Sequence, residues 1–127
     1  MENFGIKNNM QTWSFIILRI GIGLVIIYFG LQQVSDPSGW IAYLPAWVKI
    51  LPISEMNFIY LNGYFELIFG TLLVLGFYTK IISFLLSLHL LSIVYTVGYN
   101  EIGVRDFGIF IALVSIFLHE QSNRAYE

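Results

Sequence analysis

The chain contains no cysteine. That excludes disulfides, thiol redox chemistry, iron–sulfur clusters and thiolate zinc sites. Charge is scarce as well. Only 11% of the 127 residues are charged, where about 25% is usual. Six Lys and Arg with eight Asp and Glu cannot form the polar shell that a small, mostly-surface domain needs in water. Basic patches are missing too, which excludes nucleic acid as a partner. No phosphate loop, nucleophile–base pair or metal-ligand spacing is present. The expectation is a chain that is not catalytic alone, with no metal and no covalent cofactor.

What is present is apolar. Hydrophobic residues make up 57% of the sequence, and the mean hydropathy is +0.76. This predicts an all-α integral membrane protein in contact with lipid. A spanning helix needs about 20 apolar residues, and four stretches qualify, at about 13–34, 58–77, 81–99 and 104–119. Together they predict a single four-helix domain over 1–127. Lys7 resembles a signal-peptide n-region, but Arg19 interrupts the following apolar run and no A-x-A-like site follows. The first stretch is therefore read as a retained spanning helix. The short connection Tyr78–Thr79–Lys80 predicts a tight antiparallel hairpin, and Asn100–Gly103 reads as a turn. An even number of spans places both termini on one side. Lys7, Lys80 and Arg124 on that side, against Lys49 and Arg105 on the other, favour cytoplasmic termini in a cell membrane.

All three prolines lie in the first loop, between residues 35 and 57. Its segment WIAYLPAWVKIL carries Trp40, Tyr43 and Trp47, rings suited to the headgroup level. It reads as a short interfacial helix on the extracytoplasmic face, bent near Pro45. Its role is either an aromatic anchor or a lid over a cavity between the helices.

The few polar residues inside the spans fall on definite faces. Gly63, Glu66 and Gly70 share one face of the second span; Arg19, Gly23, Gly30 and Gln33 share one face of the first. Small residues allow close helix approach, and a charge at membrane depth costs at least ~2.5–3.5 kcal/mol, so both stripes should point inward. At about 1.5 Å per residue, the depths of Arg19 and Glu66 differ by less than ~10 Å, which predicts an Arg19–Glu66 pair. Such a pair serves either as helix glue or as a functional site. Arg105, Gly108, Ala112, Ser115 and His119 share a face of the fourth span, with Asp106 pointing elsewhere. His89 in the third span carries Ser92 and Thr96 on its face, and is a candidate for a proton relay or a quinone hydrogen bond. His119 lies at a different depth, so bis-histidine haem ligation is not expected.

The stretches LRIGIGLVIIYFGLQQV, GYFELIFGTLLVLGFYTKIISFLLSLHLL and RDFGIFIALVSIFL resemble the DoxX family of small four-helix membrane proteins. The resemblance covers nearly the whole chain apart from the 35–57 loop and the termini. It implies a role beside quinone-linked oxidoreductases, since the related DoxD-type subunit belongs to thiosulfate:quinone oxidoreductase. It also carries functional weight onto Arg19, Glu66, Arg105 and Asp106. Relatives often have lysine where this chain has Gln33, which alters any contact made there. The leading expectation is a subunit or accessory of a quinone-linked, respiratory-type membrane oxidoreductase, with a quinone or lipid as ligand. Partners would be other membrane subunits or further copies of the chain. The alternatives are a purely structural assembly subunit and a binder or transporter of a lipid-like molecule.

Overall fold

The computed structural model describes residues 2–125, with side chains described over 9–122. Lys7 and Arg124, used in the orientation argument, lie outside the described side chains. Among the described residues there are four long α-helices, two short 3-10 helices and no strand. The α-helices are α1 (Glu2–Ser35), α2 (Glu55–Leu75), α3 (Thr79–Val97) and α4 (Glu101–Ala125). Each contains a stretch long and apolar enough to cross a membrane.

Local chemistry sets the helix ends. Ser54 caps α2, its hydroxyl accepting from the Asn57 N–H at 3.1 Å. Gly76 closes α2 in the left-handed conformation, at φ 85°. The Gly76 and Phe77 N–H groups turn back to the Leu73 and Leu72 carbonyls, which is a Schellman closure. Asn100 caps α4, its side-chain oxygen accepting from the Gly103 N–H at 2.9 Å. The segment expected to be a turn at 100–103 is thus a cap followed by the first turn of α4. That lengthens the fourth span well beyond 104–119. The loop holds two 3-10 helices, Pro37–Tyr43 and Ala46–Ile50, in place of one bent helix. The break falls at Leu44 and Pro45, both extended, because proline lacks the N–H and forces its predecessor out of the helical region.

The helices meet at defined positions. Gly23 faces Gly70 and Val74, while Gly30 faces Gly63 and Leu67. Phe84 packs on Phe117, Phe65 on His89, and Phe15 on His119. Packing is dense within two pairs, α1 with α2 and α3 with α4, and looser between them. Glycine explains the first pair. A Cβ on Gly30 would lie 2.9 Å from the Gly63 carbonyl oxygen, and one on Gly70 would lie 2.9 Å from the Ile27 side chain. Thr79, Ser83 and Ser87, all buried at i, i+4 and i+8 on α3, form a second small-residue stripe. Ser83 and Ser87 satisfy their hydroxyls on carbonyls of their own helix.

Where the two pairs meet, Ile26, Leu73, Ile82, Leu86, Leu90, Ile109, Leu113 and Ile116 form the apolar core. Outward faces are apolar as well: Ile17, Leu24, Leu61, Ile68, Leu88, Ile111 and Leu118 are all exposed. A surface of this kind belongs in lipid.

Candidate functional site

The glycine register between α1 and α2 decides what Glu66 meets. Gln33 packs against Gly63 itself, and Glu66 lies one turn further along α2, so close packing of the glycines leaves the long Gln33 side chain within reach of the Glu66 carboxyl. Gln33 Nε2 donates to Glu66 Oε2 at 2.8 Å. Asn62, one turn before Glu66 on α2, donates to Gln33 Oε1 and, at 3.4 Å, to Glu66 Oε1. From α3, His89 places Nε2 3.4 Å from the same Oε1, and its ring lies 4.7 Å from the Phe65 ring. Gln33 and Glu66 are both buried, at 5% and 6% exposure. A carboxyl group in apolar surroundings is tolerated because polar hydrogens surround it.

This cluster borders a cavity of about 230 Å³ between the helix pairs. Ile26, Phe29, Ile59, Leu90 and Ile93 contribute apolar wall, and Trp40, Tyr43 and Trp47 line it from the 3-10 segments. The aromatic groups brace one another, Phe29 against Trp40 and Trp47 against Phe58. Val48, fully buried, anchors the second 3-10 helix. Ser92 and Thr96 share the cavity with His89, as their common face on α3 predicts. From α4 come Asp106 and Arg105, with Arg105 Nε donating to Asp106 Oδ1 at 3.1 Å. The guanidinium also stacks over the Phe29 ring at 4.0 Å. Among the described residues no three of His, Asp and Glu converge as a metal shell.

Several expectations need correction. Arg19 does not pair with Glu66. Its Nη1 donates to the Leu73 and Val74 carbonyls at 2.7 and 2.9 Å, and the guanidinium lies against Gly76. The glycine register places Arg19 opposite Gly76, ten residues along α2 from Glu66, a separation of roughly 15 Å. Arg19 therefore serves as a cationic cap on the α2 C-terminus, where unpaired carbonyls and the helix dipole favour positive charge.

The fourth helix is rotated from the expected face. Asp106 is buried and Arg105 half-buried. The inward row is Gly103, Asp106, Ile109, Leu113 and Ile116. Gly108 and Ser115 are exposed, and Gly108 has nothing within 4 Å of a would-be Cβ, so it packs no helix. Gly103 instead fits the tight α3–α4 connection, since a Cβ there would collide with the Gly98 carbonyl. Sequence reading missed Asn62; its signal was the i, i+4 spacing to Glu66.

Fold and site together define the class: an integral membrane protein of four apolar helices with an aromatic-walled cavity bordered by a buried acid, an imidazole and two amides. The chain belongs to the DoxX family, whose family model matches residues 14–98, about two thirds of its length. That stretch includes Gln33, Asn62, Glu66, His89 and the cavity-lining loop, and it ends before α4 with Arg105 and Asp106. No curated protein and no solved structure matches the chain.

Proposed function

We propose that this protein is a membrane subunit or accessory of a quinone-linked oxidoreductase, and that its cavity seats a quinone head group. In this reading the helices form an antiparallel bundle across the cell membrane with both termini cytoplasmic. The two 3-10 segments lie at the outer interface and cover the cavity. The observation that carries the reading is the Gln33–Asn62–Glu66–His89 cluster bordering an aromatic-walled space inside four apolar helices. Aromatic walls suit a flat ring, and a few convergent polar groups orient its oxygens. The volume also fits. About 230 Å³ is below the ~300–1,000 Å³ of drug-sized pockets, enough for a head group whose isoprenoid tail stays in lipid.

The chain's own part in such chemistry is binding and proton handling. Reducing a quinone to its quinol takes two electrons and two protons. Electrons would come from a redox partner subunit, and Glu66 with His89 would exchange protons at the ring oxygen. The test has two arms. First, the protein is purified in mild detergent and its co-purifying proteins and small molecules are identified by mass spectrometry. A quinone and an oxidoreductase subunit are expected. A phospholipid alone would point to a lipid-like ligand, and neither ligand nor redox partner would leave an assembly role. Second, Glu66→Gln should lower quinone-coupled turnover of the parent complex while assembly persists; unchanged turnover removes Glu66 from the chemistry.

A further inference from the structure

From the donor and acceptor inventory where the cavity is lined by Gln33, Asn62, Glu66 and His89 we infer that the site prefers the reduced, hydroxyl-bearing form of its ligand, a hydroquinone-type head group, over the carbonyl-bearing quinone. The inference rests on the functional reading above and specifies which redox form that site holds.

The neutral donors near Glu66 are largely engaged. One Gln33 N–H goes to Glu66 Oε2 at 2.8 Å. Both Asn62 N–H groups are directed within the cluster, one to Gln33 Oε1 and the other toward Glu66 Oε1. Glu66 Oε1, by contrast, has among the described residues two long contacts, both 3.4 Å, from Asn62 and His89. A carboxylate oxygen offers two lone pairs, so Oε1 is an acceptor with room for a shorter, better donor. When the His89 Nε2–H faces Glu66, its Nδ1 is a second acceptor, on a side chain that lines the cavity.

A quinone carbonyl can only accept, and against Glu66 Oε1 it would set oxygen lone pair against oxygen lone pair. A hydroquinone O–H donates there. Its other oxygen can face Arg105, whose guanidinium has one N–H engaged by Asp106 and keeps others free to donate. Each hydroxyl both donates and accepts, so a hydroquinone satisfies both ends. A hydrogen bond that one redox form makes and the other loses is large enough to give about tenfold in affinity.

The test compares three probes on the full chain in detergent micelles under anaerobic conditions: a decyl-substituted benzoquinone, its quinol, and the quinol's dimethyl ether. Trp40 and Trp47 line the cavity, so tryptophan fluorescence reports occupancy. The quinol should bind about tenfold more tightly than the quinone or the ether. For a two-electron couple, a tenfold preference raises the bound midpoint potential by about 30 mV. In Glu66→Gln, with helicity unchanged, the preference should collapse toward equality. Equal affinities in the unaltered protein, or tighter quinone binding, overturn the preference and leave the cavity reading standing. Failure of all three probes to bind overturns both.

Discussion

Replacing Gly30 by alanine probes the contact that aligns the site. The added Cβ would lie 2.9 Å from the Gly63 carbonyl oxygen and 3.0 Å from both the Leu67 N and Cγ. Two of those atoms are backbone and cannot rotate aside. Comfortable contact lies near 3.5–4.0 Å, so α1 and α2 must part by roughly 0.6 Å at this level. Overpacking of this kind costs about 1–3 kcal/mol. Alanine's better helix propensity returns up to ~1 kcal/mol. The clash wins, and a net loss of about 1–2 kcal/mol is expected. Gly21 and Gly108 supply controls, since neither has an atom within 4 Å of a would-be Cβ. Alanine there should be neutral or stabilising by up to ~1 kcal/mol. Unfolding by titration with sodium dodecyl sulfate, followed by helical circular dichroism, ranks the variants. Because Gln33 and Glu66 flank this contact and bond across it, Gly30→Ala should also weaken probe binding. Gly30→Ala proving as stable as Gly108→Ala would refute the close-packing argument.

Other consequences follow from single contacts. Arg19→Gln should destabilise the protein by about 1–2 kcal/mol through loss of the charged cap on the Leu73 and Val74 carbonyls, yet leave quinol affinity intact; lost binding at unchanged stability would return Arg19 to the site. Asn62→Ala leaves Gln33 Oε1 without its donor and should cost about 1–3 kcal/mol, with calorimetric melting as the measure. Asn100→Ala removes the α4 cap and should cost about 1 kcal/mol. Faster amide hydrogen exchange confined to residues 101–104 would be its signature, and exchange unchanged there would show that the cap is idle.

Much of the architecture was legible in the sequence because it depends on local properties. Scarce charge and four apolar runs required spanning helices, and the glycine and Glu66 spacings marked inward faces without any partner being known. The Arg19–Glu66 expectation failed at a different level. Depth along two separate helices was estimated from their ends, and an error of a few residues at each end is comparable to an arginine's reach. Side-chain chemistry alone also favoured the arginine, whereas the structure answers the acid with amides and an imidazole. The fourth helix failed for another reason. Its residues are apolar nearly all round, so periodicity could not choose between the Arg105–Gly108 face and the Asp106–Ile109 face, one residue apart.

The sequence by itself determined that this chain belongs in lipid, that it has four helices, that the glycine faces of α1 and α2 turn inward, and that Glu66 is not a surface acid. Tertiary structure alone decided that Gln33, Asn62 and His89 surround Glu66, that Arg19 caps α2 ten residues away, and that the Trp40–Trp47 loop walls a cavity. The physical reason is that helical periodicity is a property of one segment. Register is a property of two, and here it is set where the backbones at Gly30 and Gly63 come closest.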